Sequence, residues 1–138
     1  MIARPAIYLW AGPTTCLGLL FLVLPWPSRC RAAIITGVLE IHGGAAAWFL
    51  ENCTMLPGGA LAMTLGHVVI GRNPAALDLS RKHEHIHVRQ CERWGPLFVP
   101  AYLSAGLVAL LRSGSPYRDN AFEREAFGRG ANGKQAAR

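Results

Sequence analysis

Hydrophobic and polar positions divide this chain into blocks. Residues 6–24 are 19 consecutive positions without a charge, and as a helix they reach about 28 Å, close to a bilayer's hydrocarbon core. Pro13 bends such a helix without forbidding it. Pro25, Trp26 and Pro27 stop it, and Arg29 and Arg31 fall where a lipid interface would hold them. The charged start is weak and no A-x-A-like site follows, so an uncleaved N-terminal membrane anchor is preferred to a cleaved signal peptide. A buried helix of a soluble protein is the third reading.

Residues 33–51 are also apolar, but Glu40, His42 and Gly43-Gly44 argue against a second span. The β-branched Ile34, Ile35, Thr36, Val38 and Ile41 predict a strand, with Gly43-Gly44 turning into another over 45–51. Residues 52–59, containing Pro57-Gly58-Gly59, read as a loop. Residues 60–71 alternate as one more strand, with Leu65, His67 and Val69 on one face. After the turn Gly71-Arg72-Asn73-Pro74, a helix is expected from Ala75 or Asp78, capped by Asp78 or Ser80, to about Trp94, where Gly95-Pro96 ends it. Residues 97–111 make about 22 Å of helix, short of a span, with Pro100 and Gly106 inside. Tyr117 to Asn120 reads as a turn and N-cap before a last short helix. The small, polar segment from Gly128 predicts disorder.

Composition sharpens this picture. The 138 residues suit one domain; 51% are hydrophobic, 16% are charged and mean hydropathy is +0.24, which favours contact with a bilayer. The net charge of +6 does not point to nucleic acid, because the basic residues are scattered and lack interleaved aromatics. Anionic lipid beside a basic flank explains them better, and the basic remainder tilts the domain slightly toward the cytoplasmic side. Cys16, Cys30, Cys53 and Cys91 have no zinc-ribbon spacing and read as small buried residues, with a Cys53–Cys91 disulfide left open.

The candidate chemistry lies in His83-Glu84-His85-Ile86-His87. Read as H-E-x-x-H, it sets His83 and His87 one helical turn apart on one face, where two imidazoles converge on one cation. Glu84 lies beside them, placed to take a proton from a water that the cation polarises. His85 points off that face. On this motif the chain resembles the zincin metallopeptidases. The charged Arg81 and Lys82 just before the first His depart from the usual uncharged positions there.

Downstream, Asn120-Ala121-Phe122-Glu123-Arg124-Glu125-Ala126 matches the Glu-x-x-Ala of gluzincin third-ligand helices at Glu123 and Ala126. Together the two motifs resemble small bacterial gluzincin-like proteins over roughly residues 60–128. The resemblance implies an α+β fold: a minimal zincin-like core of a small antiparallel sheet, the H-E-x-x-H helix and following helices, behind an N-terminal apolar helix. It implies a sheet strand near residues 60–71 whose edge pairs with extended substrate. The corresponding division is an anchor and flank over 1–31, a zincin-like domain over 32–128 and a disordered tail over 129–138.

The resemblance also implies Zn²⁺ held by His83, His87 and Glu123, with Glu84 as the catalytic base. Glu125 is the fallback ligand but lies about 200° around the helix from Glu123. His67, Tyr117 and Arg118 are candidate oxyanion helpers. Ligands of one ion lie within about 4 Å of one another, so residues 97–111 cannot cross a bilayer once between them; they form a core, interfacial or re-entrant helix. The expected activity is hydrolysis of a peptide or protein segment near a membrane. The alternatives are a non-catalytic membrane protein with a structural or sensory metal site, and a membrane-associated interaction protein without metal.

Overall fold

A computed structural model describes residues 4–54 and 56–135, with side chains described as far as Arg129. The fold is mixed α/β and divides into two compact units, Met1–Pro96 and Leu97–Arg138. In the first unit, α1 (Arg4–Trp10) and α2 (Gly12–Val23) precede β1 (Arg31–Ile35) and β2 (Val38–His42). Next come α3 (Gly44–Asn52), β3 (Ala62–Leu65), β4 (Val68–Gly71) and α4 (Pro74–Trp94). The second unit contains α5 (Phe98–Ser113) and α6 (Ala121–Gln135).

The four strands lie in the order β1-β2-β4-β3. β1–β2 and β3–β4 are antiparallel hairpins, but β2 and β4 run parallel. The sheet is therefore mixed, not the antiparallel one expected. The chain leaves β2 through α3 into β3, which runs opposite to β2, and the β3–β4 hairpin reverses it again, so β4 lies parallel to β2. Residues 45–51, expected as a strand, are this helix. Their run of alanines with Leu50 and Glu51 favours helix, and Ala45, Ala46 and Leu50 are its buried face.

Both hairpins close through two residues. Thr36 (φ 51°) and Gly37 (φ 82°) turn β1 into β2, the left-handed pair that suits a right-twisted hairpin. Gly66 (φ 66°) and His67 turn β3 into β4, so residues 60–71 are two strands and not one.

Alternation along β4 then sorts the core. Val68 and Ile70 pack with Ile41, Ala46 and Leu50 on one face. Val69 packs with Val38, Leu77 and Val88 on the face that α4 covers.

The N-terminal apolar run is not one helix. α1 and α2 meet at 69°, because Pro13 supplies no N–H to the turn that would join them. Both belong to the same unit as the sheet. A Cβ on Gly18 of α2 would come 2.6 Å from Val68 Cβ, so the helix backbone lies directly on β4.

Among the described residues, the unbroken helical stretch long and apolar enough to cross a membrane by length and composition lies in mid-chain, Pro74–Ser113, with an 18-residue window of mean hydropathy 1.6; α1 and α2 pass that test only when taken together across their bend. α4 carries seven charged residues, so that window falls at the α5 end.

α4 begins at Pro74, one residue before the earlier of the two expected starts. Asn73, rather than Asp78 or Ser80, caps it by accepting from the Ala76 N–H at 2.8 Å, and Pro74 occupies the first turn, where its missing N–H costs nothing. α6 is capped by Asn120, whose Oδ1 accepts from Phe122 N–H at 3.0 Å. It continues to Gln135, past Gly128 where disorder was expected; residues 136–138 lie outside the described residues. The cysteines are all free: Cys16 and Cys53 are exposed, Cys30 is half-buried and Cys91 is buried. No Cys53–Cys91 bridge forms, and the expectation of four buried thiols holds for Cys91 alone.

Candidate metal centre

α4 is anchored before it presents its histidines. Arg81 donates from Nε and Nη2 to both oxygens of Glu40, at 2.7 and 2.9 Å. Glu40 is buried on β2, on the face that α4 covers. Arg81 also reaches Asp78 at 2.8 Å, and these carboxylates hold its guanidinium firmly protonated, above its ordinary pKa, against the opposing effect of burial. The departure from the zincin pattern at Arg81 thus has a structural cause: this cation neutralises a carboxylate inside the sheet. His85 faces the same side. Its burial, opposed by Glu40 and reinforced by Arg81 and Arg89, pushes its pKa below the usual histidine value.

One turn of α4 brings the other two imidazoles together. His83 Nε2 and His87 Nε2 lie 3.1 Å apart, with the ring planes at 81°. Two nitrogens each about 2.05 Å from a tetrahedral zinc are separated by about 3.3 Å, so the observed gap matches a shared cation. The Gln90 side-chain oxygen accepts from His87 Nδ1 at 2.7 Å. That bond places the proton on Nδ1 and leaves the Nε2 lone pair directed at His83.

Glu84 is buried and tied to the sheet. Thr64 Oγ1 on β3 lies 2.7 Å from Glu84 Oε2 and 3.0 Å from the Glu84 carbonyl oxygen. The contact lies on the face of the sheet that α4 covers.

In the second unit, Glu123 is 3% exposed. Tyr102 of α5 donates its hydroxyl to Glu123 Oε1 at 2.6 Å, a charge-assisted bond that fixes the carboxylate's rotamer. Asn120 Nδ2 in turn donates to the Tyr102 carbonyl at 3.0 Å, so the cap of α6 and the orientation of Glu123 share one network. Glu125 lies on another face and pairs with Arg129 at 2.9 Å.

The expected helpers have other partners. His67 sits in the β3–β4 turn, where Nε2 meets Glu92 Oε1 at 3.0 Å, its N–H donates to Thr15 Oγ1 and the Tyr8 ring stacks on it. Tyr117 packs edge-on against Phe127. The Arg118 N–H donates to Ser115 Oγ, and its side chain is exposed. Thr64, Gln90 and Tyr102 were not singled out as site residues. Gln90 is legible in the sequence, because it follows His87 by three residues and so falls on the same face of the helix. Thr64 and Tyr102 are not, because their roles arise only when separate elements pack.

No protein-family model, curated protein or solved structure matches this chain.

Proposed function

We propose that this protein is a membrane-associated zinc metallopeptidase of zincin type. The observation that carries the reading is the His83–His87 pair, with Nε2 atoms 3.1 Å apart and a buried Glu84 between them in sequence. His83, His87 and Glu123 are the ligands. Two imidazoles with one carboxylate are a set that suits a catalytic zinc with an open position.

Zinc bound there supplies a Lewis acid that brings the pKa of a water toward ~7 and polarises a carbonyl. Glu84 is the base: its carboxylate, held through Oε2 by Thr64, accepts a proton and returns it to the leaving amine. Gln90 keeps His87 in the ligating tautomer, and Tyr102 keeps Glu123 in the ligating rotamer. β3 is an edge strand of the sheet, and an extended peptide adds to it by main-chain hydrogen bonds. The apolar, exposed α5 keeps the protein at the bilayer, so its substrates are segments near the membrane surface.

The test is peptide hydrolysis by purified full-length protein, wild type against Glu84→Gln, with zinc measured in both. The reading predicts hydrolysis by the wild type and a loss of at least about 100-fold in the variant, at equal zinc content. Equal hydrolysis by both overturns it. A zinc-loaded wild type that cleaves no peptide also overturns it and favours a non-catalytic metal centre.

A further inference from the structure

The second unit contains a cleft that the metal site does not use. It lies between α5 and α6, has a volume of about 520 Å³, and is lined by Ser104, Val108, Arg112, Asp119 and Arg124 among others. Arg112 and Arg124 have no carboxylate partner among the described residues. Asp119 is the acid in the lining, and the Ser113 hydroxyl donates to it at 2.6 Å. Two guanidiniums against one carboxylate leave the cleft positive. The unit as a whole carries six lysines and arginines against three acids.

Beside the cleft runs an apolar face. Leu103, Leu107, Val108, Leu110 and Leu111 of α5 are between 41% and 78% exposed, and at 100° per residue they fall on one side of the helix. The same side reaches the cleft at Val108 and Arg112. α5 by itself has 16 residues, about 24 Å, short of a hydrocarbon core of about 30 Å, and the rest of the stretch that is long enough to cross is the charged α4. A greasy face bordered by arginines is the pattern of a helix lying in the interface.

We propose that this cleft binds the phosphate of an anionic phospholipid, with the leucine face of α5 buried among the acyl chains beside it. Arg112 and Arg124 take the phosphate, and Leu107 and Leu111 supply the insertion. The proposal rests on the membrane association proposed above and is independent of the zinc chemistry.

The test uses full-length protein and flotation with vesicles of phosphatidylcholine, with or without phosphatidylglycerol. Wild type should prefer the phosphatidylglycerol vesicles. Arg112→Gln/Arg124→Gln should weaken that binding by about 5-fold per arginine, leaving zinc content and the weaker phosphatidylcholine binding unchanged. Leu107→Glu/Leu111→Glu should abolish binding to both vesicles. Arg31→Gln/Arg129→Gln removes the same charge from outside the cleft and should cost only a small part of the effect. An equal loss in that control overturns the site in favour of a diffuse basic surface. Arginine-dependent thermal stabilisation by inorganic phosphate, with vesicle binding alike in all variants, overturns the lipid in favour of a free phosphate. Loss of zinc with vesicle preference intact counts against the peptidase reading alone.

Discussion

Thr64 and Glu84 are joined across twenty residues by a buried 2.7 Å hydrogen bond from hydroxyl to carboxylate. A sheet residue therefore fixes the orientation of the proposed base, which its own helix would leave free to rotate. Thr64→Val keeps the shape and removes the donor. It should lower kcat about 10- to 100-fold with zinc content unchanged, as the base loses its aim. Steady-state kinetics on zinc-loaded protein check this, and an unchanged kcat means that Glu84 needs no such support.

Gln90 does for His87 what Thr64 does for Glu84. Gln90→Leu removes the acceptor at Nδ1, and zinc affinity should fall about 10- to 100-fold. Competition with a chromogenic chelator measures the affinity, and ¹⁵N chemical shifts of the His87 ring report the tautomer directly. A weakened affinity with the tautomer unchanged would assign Gln90 to packing alone.

The Glu40–Arg81 fork is the attachment of α4 to the sheet. Arg81→Met strands a carboxylate that is 3% exposed and should cost about 2–4 kcal/mol in urea unfolding, somewhat less than a fully buried pair because the Arg81 side chain is partly solvated. Glu40→Leu/Arg81→Met removes both charges and should recover most of that loss. A double variant as unstable as the single one contradicts the assignment.

Cys91 should be the slow thiol. Burial pushes its pKa up to about 12, so at pH 8 the folded protein holds it almost wholly protonated and unreactive. The sign follows: a raised folded-state pKa contributes stability below the ordinary thiol range, and that contribution is lost as pH rises from there toward about 12. Iodoacetamide at pH 8 should modify the exposed Cys16 and Cys53 first and reach Cys91 only on unfolding, as peptide mass mapping will show.

The sequence displays some of this and hides the rest for physical reasons. The five residues from His83 to His87 announce a helix with two nitrogens on one face, because a 3.6-residue period is local information. Asn120 likewise declares the start of α6. The apolar run 6–24 reads as one span because hydropathy ignores where a chain bends; Pro13, and Gly18 lying against Val68, are what turn it into two packed helices. Residues 45–51 mislead in the opposite way, since an apolar run of that length suits a strand as well as a helix until its alanines are given weight. The mixed sheet follows from that helix leading into β3 and from the hairpin that returns β4 beside β2. Thr64, Gln90 and Tyr102 show what local reading misses, because a supporting shell exists only after packing.

The central claim is that His83, His87 and Glu123 hold one zinc ion. The most direct measurement is elemental analysis of purified wild type, His87→Ala and Glu123→Ala, with circular dichroism to confirm that each is folded. The account predicts about one zinc per chain in the wild type and a large loss in each folded variant. A wild type without zinc after purification with zinc present, or variants that retain it in full, contradicts the account.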